Sequence, residues 1–233
     1  MAHLVFATAC GSNVFKPIEK KDAAEDATIL LEKGKADDAI SILTSALEDD
    51  PSNYQLTSLL SAAYAQKHGI DTISLALKMG TSSSESSGSQ TNELTALFSV
   101  LPDANDENFT GLQTAIDLLL SIPEDSRTKA DNFKLTMLLT SITALRTKAF
   151  DKDGDGQVSP VEMLTLSEED ALAILSNLDT AAAVLAGVDT SSAGTAAAAT
   201  SITALQEKIA TQPGESNAER LQAYLGGGST TGG

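Results

Sequence analysis

The stretch "AAEDATILLEKGKADDAISILTSALEDDPSNY", residues 23–54, decides the fold of this chain. Alanines, leucines and isoleucines recur in it at steps of three and four residues on both sides of Gly34, and Pro51 follows the second run. This spacing places apolar side chains on one face of a helix, and glycine between two such runs is typical of a turn. The stretch therefore predicts two helices that cross closely through small side chains.

The same residues resemble a tetratricopeptide repeat, a helix-turn-helix unit that stacks into solenoids. The matching small, large and turn positions are Ala27, Leu30, Gly34, Ala39, Leu43, Ala46 and Pro51. A second, poorer copy at residues 54–80 matches at Leu60, Ser61, Tyr64, Gly69, Ile73, Leu77 and Gly80. The resemblance implies a concave surface that holds a peptide or helix of another protein. A generic antiparallel helix hairpin is the alternative interpretation.

Changes in composition divide the chain into segments. We predict a tether at residues 1–19, the repeats at 20–80, a serine-rich linker at 81–92, a helical region at 93–225 and a disordered glycine-rich tail at 226–233. Within the helical region, helices are predicted at 92–101, 107–122, 125–149, 160–187, 194–211 and 215–225. The third of these should bury one stripe, formed by Leu135, Leu138, Leu139, Ile142 and Leu145.

Composition excludes several functions. Of the 233 residues, 42% are hydrophobic, which is typical of a folded protein. The net charge of -17 disfavours binding to nucleic acid or to anionic lipid. Two histidines, His3 and His68, offer almost nothing for a Ser-His-Asp triad, and the phosphate-binding and nucleophile-elbow motifs are absent from the sequence. We therefore expect no enzymatic activity.

The single cysteine follows an apolar run, "LVFATAC", residues 4–10. This arrangement resembles the end of a bacterial lipoprotein signal peptide, in which small residues precede the cysteine that receives the lipid. The resemblance implies lipidation at Cys10 and retention in the cell envelope, with the outer membrane favoured. A short buried segment with an incidental thiol is the alternative.

The most acidic loop of the sequence is "DKDGDGQVSPVE", residues 151–162. It resembles an EF-hand calcium loop, with every position of the pattern filled. The resemblance implies calcium bound by Asp151, Asp153 and Asp155 at loop positions 1, 3 and 5, by the Gln157 carbonyl at 7, by Ser159 through water at 9 and by Glu162 in bidentate fashion at 12. A metal-free surface turn is the alternative.

Together these observations predict an all-α protein in which tetratricopeptide-like hairpins continue into a helical bundle with one EF-hand loop. We expect a scaffold or assembly factor of the cell envelope that binds another protein, with calcium as a structural brace because no second loop is found to pair with the first. A binding protein switched by calcium is the second interpretation, and an envelope enzyme is the third. The sequence leaves the oligomeric state open.

Overall fold

The computed structural model describes residues 22–72, 75, 94–186 and 193–226. Those residues form eight α-helices and three short 3-10 helices and contain no strand, which confirms the all-α prediction. The α-helices are α1 (Ala23–Glu32), α2 (Ala36–Asp49), α3 (Tyr54–Lys67), α4 (Asp106–Ser121), α5 (Lys129–Lys148), α6 (Glu168–Ala186), α7 (Ala193–Ala210) and α8 (Asn217–Leu225). The 3-10 helices are Thr95–Val100, Glu124–Ser126 and Glu162–Thr165.

Helices α1 and α2 form the hairpin that the opening stretch predicts. The Asp22 side chain caps α1 by accepting a hydrogen bond from the Ala24 amide at 3.0 Å. Gly34 lies in the middle of the three-residue connection and has a φ of +71°, a conformation that residues with a Cβ rarely adopt. Ala27 and Ala39 are fully buried in the contact, as expected where two helix backbones approach closely. Ala46, the other small position of α2, was also expected to be buried at this crossing but packs at the edge of the cluster and is only partly buried.

Helix α3 packs on α1 and α2 with one face and on α4 with another. The buried Ser61 hydroxyl donates a hydrogen bond to the Ala115 carbonyl of α4 at 2.7 Å. Next to it, the imidazole of the buried His68 fills the space over Gly111, where an added Cβ would lie only 2.0 Å from the ring. Small residues therefore let α3 and α4 approach closely. Through this contact, the first three helices pack directly on the second half of the chain.

Helix α5 lies in the centre of the second half and packs most extensively on α6. The predicted stripe from Leu135 to Leu145 is buried, but the buried surface runs almost around the helix and includes several hydroxyl side chains. Each of these hydroxyls donates a hydrogen bond to the carbonyl four residues earlier, at 2.8–3.0 Å: Thr136, Thr140, Ser141, Thr143 and Thr147. These bonds satisfy the hydroxyls locally, so a helix of modest hydropathy can be buried on nearly every side.

Two of the predicted helices differ in kind from the observed elements. The segment predicted as a helix at 92–101 contains the 3-10 helix Thr95–Val100. The segment predicted as one helix at 160–187 is divided, because Leu166 is extended (φ -66°, ψ 116°) between the 3-10 helix Glu162–Thr165 and α6. Helix α5 begins at Lys129 rather than at 125. Helices α5 and α6 each begin directly after a capping residue, which is Thr128 for α5 and Ser167 for α6.

Some predictions concern residues outside the described part of the chain. These are the tether at 1–19 with Cys10, the linker at 81–92, the repeat positions Ile73, Leu77 and Gly80, and residues 227–233 of the tail. They stay predictions of the sequence.

Candidate metal centre

The acidic loop connects the end of α5 to the 3-10 helix Glu162–Thr165 and is attached to the core at both ends. Before the loop, Phe150 packs against the main hydrophobic cluster. Within the loop, the apolar Val158 at position 8 is buried, and Met163 directly after the loop is fully buried. The carboxylates between these anchors face solvent, with Asp153 and Asp155 exposed and Asp151 partly buried. The loop is therefore an exposed acidic segment on fixed supports.

The three aspartates converge. Asp151, Asp153 and Asp155 each offer a carboxylate oxygen, and these oxygens all lie within 4.8 Å of one another. The spacing that brings them together is local, because alternate residues of a tight loop can turn their side chains inward. Glycines allow the tight path, since Gly154 and Gly156 have φ values of +74° and +82°.

Backbone amides hold these carboxylates in place. Asp151 accepts hydrogen bonds from the amides of Gly154 at 2.9 Å and Gly156 at 3.0 Å, one on each oxygen. Asp153 accepts from the Asp155 amide at 3.1 Å, and Asp155 accepts from the Gln157 amide at 2.8 Å. Amide donors offset part of the repulsion among the aspartates, and each carboxylate keeps lone pairs for another ligand.

The Glu162 carboxylate is held by hydrogen bonds from the loop itself. Its carboxylate accepts hydrogen bonds from the amide and hydroxyl of Ser159, both at 2.8 Å, and from the Lys152 amide at 2.6 Å. These bonds, from Ser159 first and then from Lys152, lower the pKa of Glu162 to about 2. In the described part of the chain, the cluster of converging oxygens consists of the three aspartates without Glu162. The Glu162 side chain therefore joins the two ends of the loop by accepting hydrogen bonds from backbone amides near each end.

The donor set suits a hard cation. Carboxylate oxygens on a loop with two left-handed glycines are the ligands that Ca²⁺ prefers, and no nitrogen or sulfur ligand intervenes. Asp151, Asp153 and Asp155 would hold the ion directly. The Gln157 carbonyl and Ser159 stay predicted ligands. The amide and hydroxyl of Ser159 at present donate hydrogen bonds to Glu162. Glu162 stays a predicted ligand as well, and its carboxylate at present accepts hydrogen bonds from Ser159 and Lys152.

A groove of about 630 Å³ borders the loop on the side of the 3-10 helix Thr95–Val100. Its wall includes Phe98, Asp103, Asp151 and Lys152. In the same wall, the Lys148 ammonium group donates hydrogen bonds to the carbonyls of Phe98, Leu101 and Pro102, within and just after that 3-10 helix, at 3.0–3.2 Å. Sequence reasoning missed this contact because it joins residues about fifty positions apart. The Lys148 hydrogen bonds connect the start of the acidic loop to the segment that leads into α4.

A second polar cluster joins α3 to α5 at a site that the sequence did not indicate. Ser58 donates a hydrogen bond to the Asp131 carboxylate and accepts one from the Lys134 ammonium at 2.7 Å. Thr128 also donates to Asp131, from its hydroxyl at 2.7 Å and from its amide at 3.0 Å. Burial alone raises the pKa of Asp131, but the hydrogen bonds from Ser58 and Thr128 outweigh it and leave that pKa below its ordinary value.

Burial lowers the pKa of Lys134, and the nearby Asp131 carboxylate, 3.9 Å away, opposes that shift. The Ser58 hydroxyl donates one hydrogen bond to the aspartate and accepts another from the lysine, so it links the two charged side chains. The arrangement satisfies a charge pair between two helices. It joins α3 to α5 in the packed fold.

In the described residues, no helix combines the length and apolarity needed to cross a membrane. Comparison of the chain with protein-family models, with curated protein sequences and with solved structures finds no match. Function therefore has to be argued from the geometry of the acidic loop and from the surfaces of the fold.

Proposed function

We propose that this protein is a scaffold or assembly factor of the cell envelope, not an enzyme, which binds another protein on its helical-repeat surface and carries one structural calcium ion. The observation that carries the calcium assignment is the convergence of the Asp151, Asp153 and Asp155 carboxylates within 4.8 Å, on a loop whose amides already orient them. When bound, the ion supplies positive charge that offsets these carboxylates.

The supports of the loop favour a brace. Val158 and Phe150 bury apolar side chains on the core, and Lys148 connects the entrance of the loop to the segment before α4. Holding the loop together therefore helps to fix the end of α5 relative to its neighbours. Anchorage at Cys10 would place the protein where ambient calcium is high enough to keep a weak site filled.

A groove supports the partner assignment. It measures about 390 Å³ and opens between the ends of α1 and α3, with Leu31, Gln66 and Ile70 in its wall. Apolar side chains beside a few polar ones suit an extended or helical segment of another polypeptide. The Gln66 side chain, which donates to the Leu31 carbonyl at 3.0 Å, fixes the two helices that form this groove.

A calcium-responsive binding protein is the second candidate, and the position of Glu162 favours it. Its carboxylate is held by Ser159 and Lys152 and lies outside the cluster of converging aspartate oxygens, so recruiting it to the ion would rearrange those hydrogen bonds. That rearrangement would be transmitted to the 3-10 helix Glu162–Thr165. A brace needs no such movement.

Two measurements separate these candidates. A hydrophobic dye is added to the protein with calcium and then with a chelator: a brace gives the same fluorescence in both, whereas a switch gives a large rise with calcium. Glu162→Gln serves as the control, because it weakens a ligand to the ion with little change in helix propensity. Affinity purification from envelope extracts, with and without the chelator, then tests the scaffold role, which fails if no envelope protein is retained in either condition.

A further inference from the structure

Two large apolar side chains stand out from the fold directly after the acidic loop. Val161 is 74% exposed and Leu164 is 76% exposed. They lie three positions apart at the start of the 3-10 helix Glu162–Thr165, and residues with this spacing in a 3-10 helix share one face. The pair therefore presents one apolar projection to solvent.

The backbone that carries the pair is held firmly. Met163 between them is fully buried, and its carbonyl accepts a hydrogen bond from the Gln222 side chain of α8 at 3.0 Å. Pro160 packs against the end of α8, where a Cβ at Gly226 would lie 3.2 Å from the proline ring. Because Met163 and Leu166 of this turn are anchored in the core, the exposure of Val161 and Leu164 is a fixed feature of the turn.

The stretch of sequence that carries the pair is strongly acidic. Between residues 151 and 172 the sequence has seven acidic residues and one basic residue, Lys152. The acidic residues stand on both sides of the pair: Asp151, Asp153, Asp155, Glu162, Glu168, Glu169 and Asp170. A bound divalent cation would offset only part of this charge. An apolar projection within negative charge is complementary to an apolar side chain flanked by lysine or arginine, and it repels anionic lipid.

We propose that Val161 and Leu164 form a docking site for a basic amphipathic segment of a partner protein. The inference rests on the proposed scaffold role and gives it a second surface, distinct from the groove between α1 and α3. It depends neither on the tetratricopeptide resemblance nor on calcium, because both side chains are exposed in the fold as described. The two side chains act as apolar anchors, and the surrounding carboxylates select for positive charge.

The test uses a labelled synthetic helical peptide of leucine and lysine, titrated with the full chain at low salt and followed by fluorescence anisotropy. The matched control peptide carries glutamate in place of every lysine. Val161→Ser combined with Leu164→Ser removes the site, and both side chains are exposed, so the fold should persist, as circular dichroism can verify. Ile29→Ser combined with Leu120→Ser is the control variant, because these residues are exposed by 40% and 44% elsewhere on the surface.

The proposal predicts that the lysine peptide binds the wild-type chain and that the Val161→Ser/Leu164→Ser variant weakens binding about tenfold or more, while the control variant stays within about twofold. The glutamate peptide should not bind. Equal binding by the wild type and the Val161→Ser/Leu164→Ser variant overturns the proposal, because the attraction is then general to an acidic surface. A dimer of this chain that the same variant abolishes, or flotation with anionic vesicles that it abolishes, also overturns it.

Calcium titration of the same variants separates this inference from the proposed function. Loss of peptide binding with normal calcium binding is expected when Val161 and Leu164 are replaced. Retained peptide binding in a chain that binds no calcium refutes the calcium assignment alone and leaves the docking site intact.

Discussion

Replacing Gly111 by alanine tests how α3 and α4 pack, and with it the continuity between the repeat unit and the bundle. Gly111 lies within α4, and a Cβ there would fall 2.0, 2.2 and 2.3 Å from three ring atoms of His68. Contacts this short cannot exist, so the buried imidazole or the helix must move. Alanine is favoured over glycine in a helix by about 1 kcal/mol, whereas overpacking typically costs about 1–3 kcal/mol. Because the overlap involves most of a ring, we expect the upper end of that cost and a net loss of about 2 kcal/mol.

The assay is urea unfolding followed by circular dichroism, together with the thermal midpoint, which should fall by roughly 4–8 °C for a chain of this size. The decisive control is a double-mutant cycle with His68→Ala. Without the ring the clash disappears, and Gly111→Ala should then stabilise the protein by up to about 1 kcal/mol through helix propensity alone. The packing of α3 on α4 is wrong as described if Gly111→Ala is neutral or stabilising in the wild-type background.

Further predictions concern the first hairpin, the charge pair and the N-terminal cysteine. Ala39→Leu should destabilise the protein by about 1–3 kcal/mol because Ala39 is fully buried between helices, whereas Ser45→Leu on the exposed face of α2 should change the unfolding midpoint little. The lowered pKa of Asp131 means that its carboxylate stabilises the fold above the ordinary aspartate pKa, and that this stability is lost as the pH falls below about 4. Asp131→Asn should therefore flatten this part of the stability profile, and an unchanged profile would contradict the charge pair. Cys10→Ser should abolish incorporation of a labelled fatty acid in a bacterial host, and absence of label in the wild type would refute the anchor.

The predictable parts of the fold are those that short-range patterns encode. The hairpin of α1 and α2 follows from the alternation of small and large apolar residues around Gly34. The convergence of Asp151, Asp153 and Asp155 follows from alternate spacing in a loop with two glycines, because all the determinants lie within six residues. Local sequence was enough in both cases.

The starts of α5 and α6 were predictable from capping residues, which a search for apolar periodicity does not detect. Ser167 and Asp170 exchange hydrogen bonds at the start of α6, as Thr128 and Asp131 do at the start of α5. Both pairs have the spacing of a capping box, which places the helix start immediately after the serine or threonine. Following the apolar residues alone extended one helix across the turn at Leu166.

Other features depend on contacts that no local pattern contains. Ser58 and Asp131 are 73 positions apart, so their hydrogen bond becomes visible only when α3 and α5 are placed together. The burial of α5 on nearly every side could not be inferred from hydropathy. Its threonines are polar, but their hydroxyls are satisfied by hydrogen bonds to carbonyls of the preceding turn. Likewise, the hydrogen bond from the Lys152 amide to Glu162 is not specified by the place of Glu162 in the motif.

Calorimetric titration of the full chain with calcium is the sharpest test of the calcium site in the acidic loop. We expect one ion to bind per chain, and we expect Asp153→Asn to abolish that binding. Lys152→Gln should change it little, because this variant leaves the converging carboxylates intact. The same ion should raise the free energy of unfolding by about 2.7 kcal/mol when free calcium is about a hundred times the Kd. Absence of binding heat together with an unchanged melting temperature, or binding that Asp153→Asn leaves undiminished, would contradict the assignment of a calcium site to residues 151–162.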